Sequence, residues 1–382
     1  MADMLKLGIA GMGNAGRAVV GDLSKASGVA LTAVADLRSE ALEPFRLNPA
    51  VKTFDSVEAM CRSGDIDAVW VATPNEFHAA HTVAAAMNGK HVICEKPMAV
   101  SLEECDRMID AAEANGVKLL MHSKAGDPPV EKMRELVASG KLGRLIQISA
   151  WNYKSWLNLP RLPAELDTAK GGGVVFRQGA HQIDIVRALG GGPVKSLRAT
   201  AGKWQPRFDT EGNYTAFLEF ADGTPAALVF NGYGRFNMSE VTWGIGESGF
   251  AEKSSSNAAE ASRPAAPMER STRGERRREG PLRQPFFGLT IASLEKADIR
   301  QSPDGLYVYT DKGREEIPCQ PFLDRGGELL RLYEAVTLNR PVLADGRWGK
   351  ATLEIVLAIL QSSREKREIE LRHQAASHKV EF

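Results

Sequence analysis

Cysteine is scarce: Cys61, Cys94, Cys105 and Cys319 are the only four in 382 residues. They show neither the close pairing of a zinc site nor the density of a disulfide scaffold, so neither framework is expected and reduced thiols in the cytoplasm fit best. Net charge is lacking too. Lys+Arg and Asp+Glu each total 48, so no global field draws the chain to nucleic acid or to an anionic membrane. No run approaches the ~20 apolar residues of a bilayer span. The start from Met1 to Lys6 has no basic stretch, apolar core or cleavage site of a secretory signal. No internal repeat stands out, and no metal site is expected.

What is present suffices for two domains of roughly 100 to 250 residues each, with 43% hydrophobic residues to fill them. Short apolar strands alternate with helices in the first third: Leu5 to Ala10, Val29 to Ala35, Ala68 to Ala72, His91 to Cys94 and Lys118 to His122. That alternation implies a parallel sheet covered on both faces. Ser101 with Glu104 resembles a capping box opening a helix that stops at Asn115-Gly116. Beyond Asp127-Pro128-Pro129 the pattern changes. A helix to Ser139-Gly140, a strand from Leu145 to Trp151 and a glycine-opened helix from about Gly173 to Leu189 precede strand-like segments near 194–204, 213–221, 225–232 and 238–246. Strands following strands predict an antiparallel second domain with a few helices. The expected division is 1–123 and 124–382. The Ser, Ala, Pro, Glu and Arg composition of 251–285 reads as an exposed, mobile insertion, its arginines interleaved with acids as on a solvated loop.

The run Gly11-Met12-Gly13-Asn14-Ala15-Gly16 follows the first strand and precedes a helix expected from Arg17 to Ser24. In that setting the first glycine permits a tight turn, the second lets backbone approach a pyrophosphate, and the third lets helix and strand pack. The free amides of the helix start face the anion. Asp36, closing the second strand, stands where a carboxylate accepts the adenosine ribose hydroxyls. That favours NAD. Arg38 stands close enough to soften the repulsion of a 2′-phosphate, so NADP stays open. Lys96, held between Glu95 and Pro97 at the end of the fourth alternating strand, suits a reactive amine.

With these motifs in hand, the chain resembles the Gfo/Idh/MocA oxidoreductases, named for glucose–fructose oxidoreductase and inositol dehydrogenase. The likeness rests on the glycine turn, on Thr73-Pro74-Asn75-Glu76-Phe77-His78, on Gly89 to Pro97, and on Gly171-Gly172-Gly173 with Gly179 to Asp184. The resemblance implies an α/β chain: an N-terminal Rossmann domain, doubly wound and parallel, and a C-terminal α+β domain with a large open, mostly antiparallel sheet. That sheet often joins subunits in the family, so a homodimer or homotetramer is implied. The family's Lys-Pro peptide is commonly cis. The likeness further implies that Lys96 is the catalytic lysine, that His181 is the acid/base histidine, and that Thr73, Pro74, Asn75, His78 and Glu95 line the nicotinamide half of the cofactor cleft.

One departure stands out. Many members carry aspartate four residues before the histidine, and this chain has Arg177 there, with Gln178 beside it. On a helix Arg177 and His181 share a face, so Arg177 either meets what His181 meets or pairs with Asp184 or Glu165. A guanidinium beside the reacting carbon would bind a carboxylate in two prongs, which implies an anionic small-molecule substrate. Trp151, Tyr153, Trp156 and Phe176 lie in sequence around Lys154, Arg161 and Arg177, either as flat walls of a site or as core of the second sheet. The segment from Trp151 to Gly179 is similar to a branch of phthalate 4,5-cis-dihydrodiol (4,5-dihydroxyphthalate) dehydrogenases. The expected substrate contacts are therefore Lys96, Lys154, Trp156, Arg177, Gln178 and His181. In the expected reaction Lys96 takes the hydroxyl proton, its pKa lowered by burial and a nearby cation from the ordinary ~10.4, and His181 relays it or orients the hydroxyl. The alternatives are a sugar, inositol or amino-sugar dehydrogenase, an NAD-dependent glycosidase, and a nucleotide-sensing regulator. The retained Lys96 and His181 argue against the last.

Overall fold

The computed structural model describes residues 4–252 and 280–375, and these fall into two compact units. The first takes in the described residues of Met1–His122 together with Leu323–Leu353; the second takes in Ser123–Phe322 and those of Glu354–Ser377. Residues 323–353, expected in the second domain, thus belong with the first. The reason is apolar: helix Arg325–Thr337 places Leu329 and Leu332, both fully buried, in one cluster with Leu7, Ile9, Val34, Trp70 and Ile93. Truncating such a leucine to alanine costs ~2–5 kcal/mol.

The first unit is built on six parallel strands, β1 (Leu5–Ala10), β2 (Val29–Ala35), β3 (Lys52–Phe54), β4 (Ala68–Val71), β5 (His91–Cys94) and β6 (Leu119–Met121). Their order in space is β3-β2-β1-β4-β5-β6, the doubly wound arrangement whose order reverses between β1 and β4. Near-continuous burial along β1, β4 and β5 is what helices on both faces require. Ser101 caps helix Leu102–Ala114 by accepting the Glu104 N–H, as the sequence pattern predicts, while Glu104 accepts from Val100.

The second unit carries β7 (Leu145–Tyr153), β8 (Val194–Gly202), β9 (Asn213–Phe220), β10 (Pro225–Asn231), β11 (Leu289–Leu294), β12 (Ala297–Gln301), β13 (Gly305–Thr310), β14 (Gly313–Pro318) and the short β15 (Ile369–Glu370). They form one sheet in the order β14-β13-β12-β11-β7-β10-β9-β8-β15. Only the β10–β7 pair is parallel. Alternation sorts the two faces. Ile148, Ala150, Tyr214, Ala216, Leu218, Leu228 and Phe230 are buried, and helix Ala180–Gly190 is buried from Ala180 to Leu189. Trp151, Phe217 and Ala227 on the opposite face are exposed, and Val229 is half-buried.

Two expectations are corrected here. The segment 238–246 is not a strand: Asn237 accepts from Ser239 and starts a 3-10 turn at Met238–Val241, and the Thr242 hydroxyl donates to the Ile245 carbonyl. Local side-chain bonds there outcompete a ladder. The glycine turn's helix begins at Asn14, not Arg17, and runs to Asp22. Of the insertion expected at 251–285, residues 253–279 lie outside the described residues; its ends are tied down by the Ile245↔Ala251 bridge and the Arg283 N–H to Gly249 O bond.

Candidate functional site

The carboxyl ends of β1, β2, β4 and β5 carry the predicted cofactor residues, on the sheet edge where ligands bind in open α/β folds. Gly11 has φ +91°, and a Cβ there would meet the Ala72 carbonyl oxygen at 2.7 Å; at Gly16 it would lie 2.0 Å from the Gly11 oxygen. Both positions therefore demand glycine. At Gly13 a Cβ would meet nothing within 4 Å, so that backbone faces open space. Helix Asn14–Asp22 starts at Gly13 without a side-chain cap, leaving its first amides for an anion. Ala15 lies in its first turn, and Asn14 accepts from Arg17.

Met12 links this turn to β2: its N–H donates to Asp36 Oδ2 at 2.7 Å. Arg38 clamps the same carboxylate, giving its backbone N–H and Nε to Oδ1 and Nη2 to Oδ2, all at 2.9 Å. Burial pushes the Asp36 carboxyl up, but the Arg38 and Met12 bonds outweigh it and hold the group below its usual range. The glycines, free amides and ionised carboxylate together suit the pyrophosphate and ribose of NAD.

The next residues are braced by a buried histidine. His78 Nδ1 lies 2.8 Å from the Pro97 carbonyl and Nε2 lies 2.9 Å from that of Thr73, so one imidazole ties the turn after β4 to the turn after β5. Thr73 Oγ1 also pairs with His81 Nδ1 at 2.9 Å. Pro74 precedes the short turn Asn75–Phe77, where Asn75 is buried. The Lys96–Pro97 peptide is cis, and Lys96 is half-buried.

Glu95 is buried, and the Arg325 guanidinium holds its Oε1 at 3.2 Å through Nη2 and 3.3 Å through Nε. Burial pushes this carboxyl up, yet the cations around it, His122 and Arg325 first, pull it down to about 2. His122 Nδ1 lies 2.6 Å from Glu328 Oε2; burial works against its charged form, but Glu328 and Glu95 raise its pKa. Arg325, His122 and Glu328 were not found by sequence reasoning. No spacing signals them, since Arg325 stands 230 residues from Glu95.

In the second unit, Gly171-Gly172-Gly173 makes room for a buried acid. Gly171 and Gly173 have φ +74° and +81°, and a Cβ at Gly173 would meet Glu211 Oε1 at 2.2 Å. Glu211 accepts from the Val175 N–H at 3.1 Å and from the Thr168 hydroxyl at 2.7 Å. Burial raises its pKa above the usual range despite these bonds. The predicted helix then opens with a π-helical turn, Val175–Gly179, before the α-helical Ala180–Gly190; such turns recur at functional sites. Arg177 and Gln178 lie in that turn.

The predicted substrate residues of this unit are spread over several partners. Arg177 pairs with Glu165 at 3.1 Å, and Arg161 reaches the same carboxylate at 3.5 Å. Lys154 pairs with Glu247. Trp156 is buried, its ring covered by the Arg161 guanidinium at 3.9 Å. Gln178, also buried, donates to the Arg177 carbonyl. His181 is buried with its ring 5.1 Å from Phe287, edge to face. Asp184, the other partner considered for Arg177, accepts from Ser123 at 2.6 Å. Lys96 belongs to the first unit and His181 to the second. Among the described residues no helix is long and apolar enough to cross a membrane.

Comparison with known proteins extends over both units. Residues 5–123 match the oxidoreductase family with an NAD-binding Rossmann fold, and residues 130–250 match the GFO/IDH/MocA C-terminal domain. The 1-carboxy-3-chloro-3,4-dihydroxycyclo hexa-1,5-diene dehydrogenase of Comamonas testosteroni is 30% identical over 380 residues, covering 94% of this chain and 95% of that relative. A Bordetella bronchiseptica RB50 protein whose crystal structure carries the name of a dehydrogenase aligns with a TM-score of 0.91 and 34% identity, over 96% of this chain and 100% of that one. The WlbA dehydrogenase of Bordetella pertussis, solved with NADH and UDP-GlcNAcA, aligns with a TM-score of 0.70 at 20% identity, over 97% and 99% of the two chains, a likeness of fold.

Proposed function

The chain belongs to the Gfo/Idh/MocA family of NAD-binding oxidoreductases, and from that premise we propose that it oxidises a hydroxyl-bearing carbon of a carboxylated cyclic cis-diol, such as phthalate 4,5-cis-dihydrodiol. The observation that carries the substrate class is the likeness, across 94% of the chain, to a dehydrogenase whose name specifies a carboxylated, dihydroxylated cyclohexadiene. Arg177 in place of the aspartate usual in the resembled family supports an anionic substrate.

NAD, when bound, accepts the hydride. The glycine turn and the amides of helix Asn14–Asp22 hold its pyrophosphate, and Asp36 accepts from its ribose. In this reading Thr73, Pro74, Asn75, His78 and Glu95 line the nicotinamide end. Lys96 removes the hydroxyl proton as the hydride leaves the same carbon, and His181 relays that proton or orients the hydroxyl. The balance would be one diol and NAD+ giving one hydroxyketone, NADH and a proton; a proton then shifts from a ring carbon to the ketone oxygen, with no net loss, and the ring becomes aromatic. Lys154, Trp156, Arg177 and Gln178 are proposed to contact the substrate. The open face of the second sheet is proposed to pair with a second copy.

A sugar, inositol or amino-sugar dehydrogenase is the second reading. The Arg177–Glu165 pair favours it, because a guanidinium already matched by a carboxylate has less to offer an anion. NADH formation measured against carboxylated cyclic cis-diols, inositol and neutral sugars decides. Activity on a neutral sugar with none on any acidic diol rejects the first reading. Lys96→Met is expected to bind NAD with unchanged Kd while kcat falls by ~10³ or more; near-normal turnover removes Lys96 from its role.

A further inference from the structure

Thr73, the second residue after β4, meets helix His78–Met87 through both of its oxygens. Its carbonyl lies 2.9 Å from His78 Nε2, and its hydroxyl lies 2.9 Å from His81 Nδ1. The first histidine belongs to the run that sequence reading singled out; the second does not. His81 is held on three sides. Thr73 meets one ring nitrogen, Glu58 of helix Val57–Arg62 faces the other at 3.9 Å, and the exposed Phe77 ring, four residues earlier, lies 5.9 Å away at 30°. Hydroxyl, imidazole and carboxylate thus follow one another. Burial pushes the His81 pKa below its ordinary value and Glu58 offsets this only in part, so at neutral pH the ring is uncharged and carries one proton, on one of its two nitrogens.

We propose that His81 is a positioning residue for the cofactor: with its Nε2–H toward Glu58, its bare Nδ1 accepts from the Thr73 hydroxyl, and the Thr73 oxygen is thereby fixed as an acceptor for an N–H of the nicotinamide carboxamide. The proposal rests on the reading that Thr73 lines the nicotinamide end. Without a set tautomer the hydroxyl has two choices. If Nδ1 held the proton it would donate to Oγ1, and the threonine would offer its hydrogen elsewhere in place of a lone pair. The group facing one ring nitrogen decides which of the two is protonated, and a carboxylate favours the N–H on the nitrogen it faces. At 3.9 Å this pull is electrostatic, not a hydrogen bond. Thr73 itself stands at the carboxyl end of β4, on the sheet edge where the other cofactor residues gather.

Two measurements on the full chain test this, and neither needs turnover. Nitrogen-15 NMR of histidine-labelled protein reports which ring nitrogen holds the proton, with the His81 signals assigned by their loss in His81→Asn. A bare Nδ1 and a protonated Nε2 are expected at neutral pH; a proton on Nδ1 overturns the proposal. Titration with NADH, followed by its fluorescence, then reads what the hydroxyl does. Thr73→Val and His81→Leu are each expected to raise the NADH Kd by roughly three- to tenfold, the worth of one hydrogen bond, and the double variant by no more than either alone. His81→Asn, whose side-chain oxygen can replace Nδ1 as acceptor, is expected to recover affinity near wild type. That rescue separates hydrogen bonding from packing. A weakened Thr73→Val beside an unaffected His81→Leu, or losses that add in the double variant, rejects the proposal alone. Wild-type affinity in Thr73→Val removes Thr73 from the cofactor, and the proposal falls with that reading. Should His81→Leu be insoluble, the tautomer decides in its place.

Discussion

At the scale of single residues, Asp36 and Arg38 are proposed to set the cofactor preference through one another. Four donors already occupy the Asp36 carboxylate, three of them from Arg38, so a ribose diol reaching Asp36 takes the place of the guanidinium. Asp36→Ala is expected to weaken NAD ~10 to 100-fold, the worth of one or two bonds to a charged group. The same change frees Arg38 for a 2′-phosphate, so the ratio of kcat/KM for NADP over NAD rises; an unchanged ratio removes Asp36 from this role. The glycine turn and Asp36 were legible in the sequence because each answers a purely local demand, a positive φ, a close approach, a strand end. Arg325 was not, because its partner is distant in the chain and ion pairs leave no periodic signal.

At the scale of elements, the helix carrying Arg177, Gln178 and His181 is anchored by Glu211 at its first turn. Burial raises the folded-state pKa of this acid. The sign follows from linkage: a group that binds its proton more tightly when folded makes the protein lose stability as pH rises from the unfolded value of ~4.3 through the folded one. Glu211→Gln keeps an oxygen for the Val175 N–H and is always neutral. Its Tm at neutral pH is expected to match or exceed wild type, and its stability to lose the pH dependence across that window. Glu211→Ala is expected to cost ~1–3 kcal/mol by stranding the amide and hydroxyl. A Gln variant as unstable as the Ala variant at every pH contradicts the account. Sequence periodicity placed this helix closely, from about Gly173, yet showed nothing of its π-helical turn, because the acid that receives the Val175 N–H arrives from a separate segment. The same logic explains 238–246, where apolar spacing suggested a strand and a side-chain turn prevailed.

At the scale of the molecule, the second sheet has one face buried and one bearing Trp151, Phe217 and Ala227 in the open. Cross-strand register sets Trp151 opposite Val229, and Ala227 opposite Phe217, a contiguous apolar strip suited to a second copy. Phe217→Glu is expected to lower the solution mass measured by light scattering toward that of one chain, with the far-UV spectrum retained; an unchanged mass places any interface elsewhere. The strands β7 to β10 were legible in the sequence, whereas β11 to β15 were not read, and the division of the chain was read only in part. A linear boundary near 123 accounts for where the second unit begins and misses the return of residues 323–353. That return has a consequence for biosynthesis. While the roughly 200 residues of Ser123–Phe322 are still being translated, the nucleotide-binding half lacks Leu329 and Leu332 for its interior and Arg325 for its buried acid, so the first part of the enzyme to leave the ribosome is among the last to be completed.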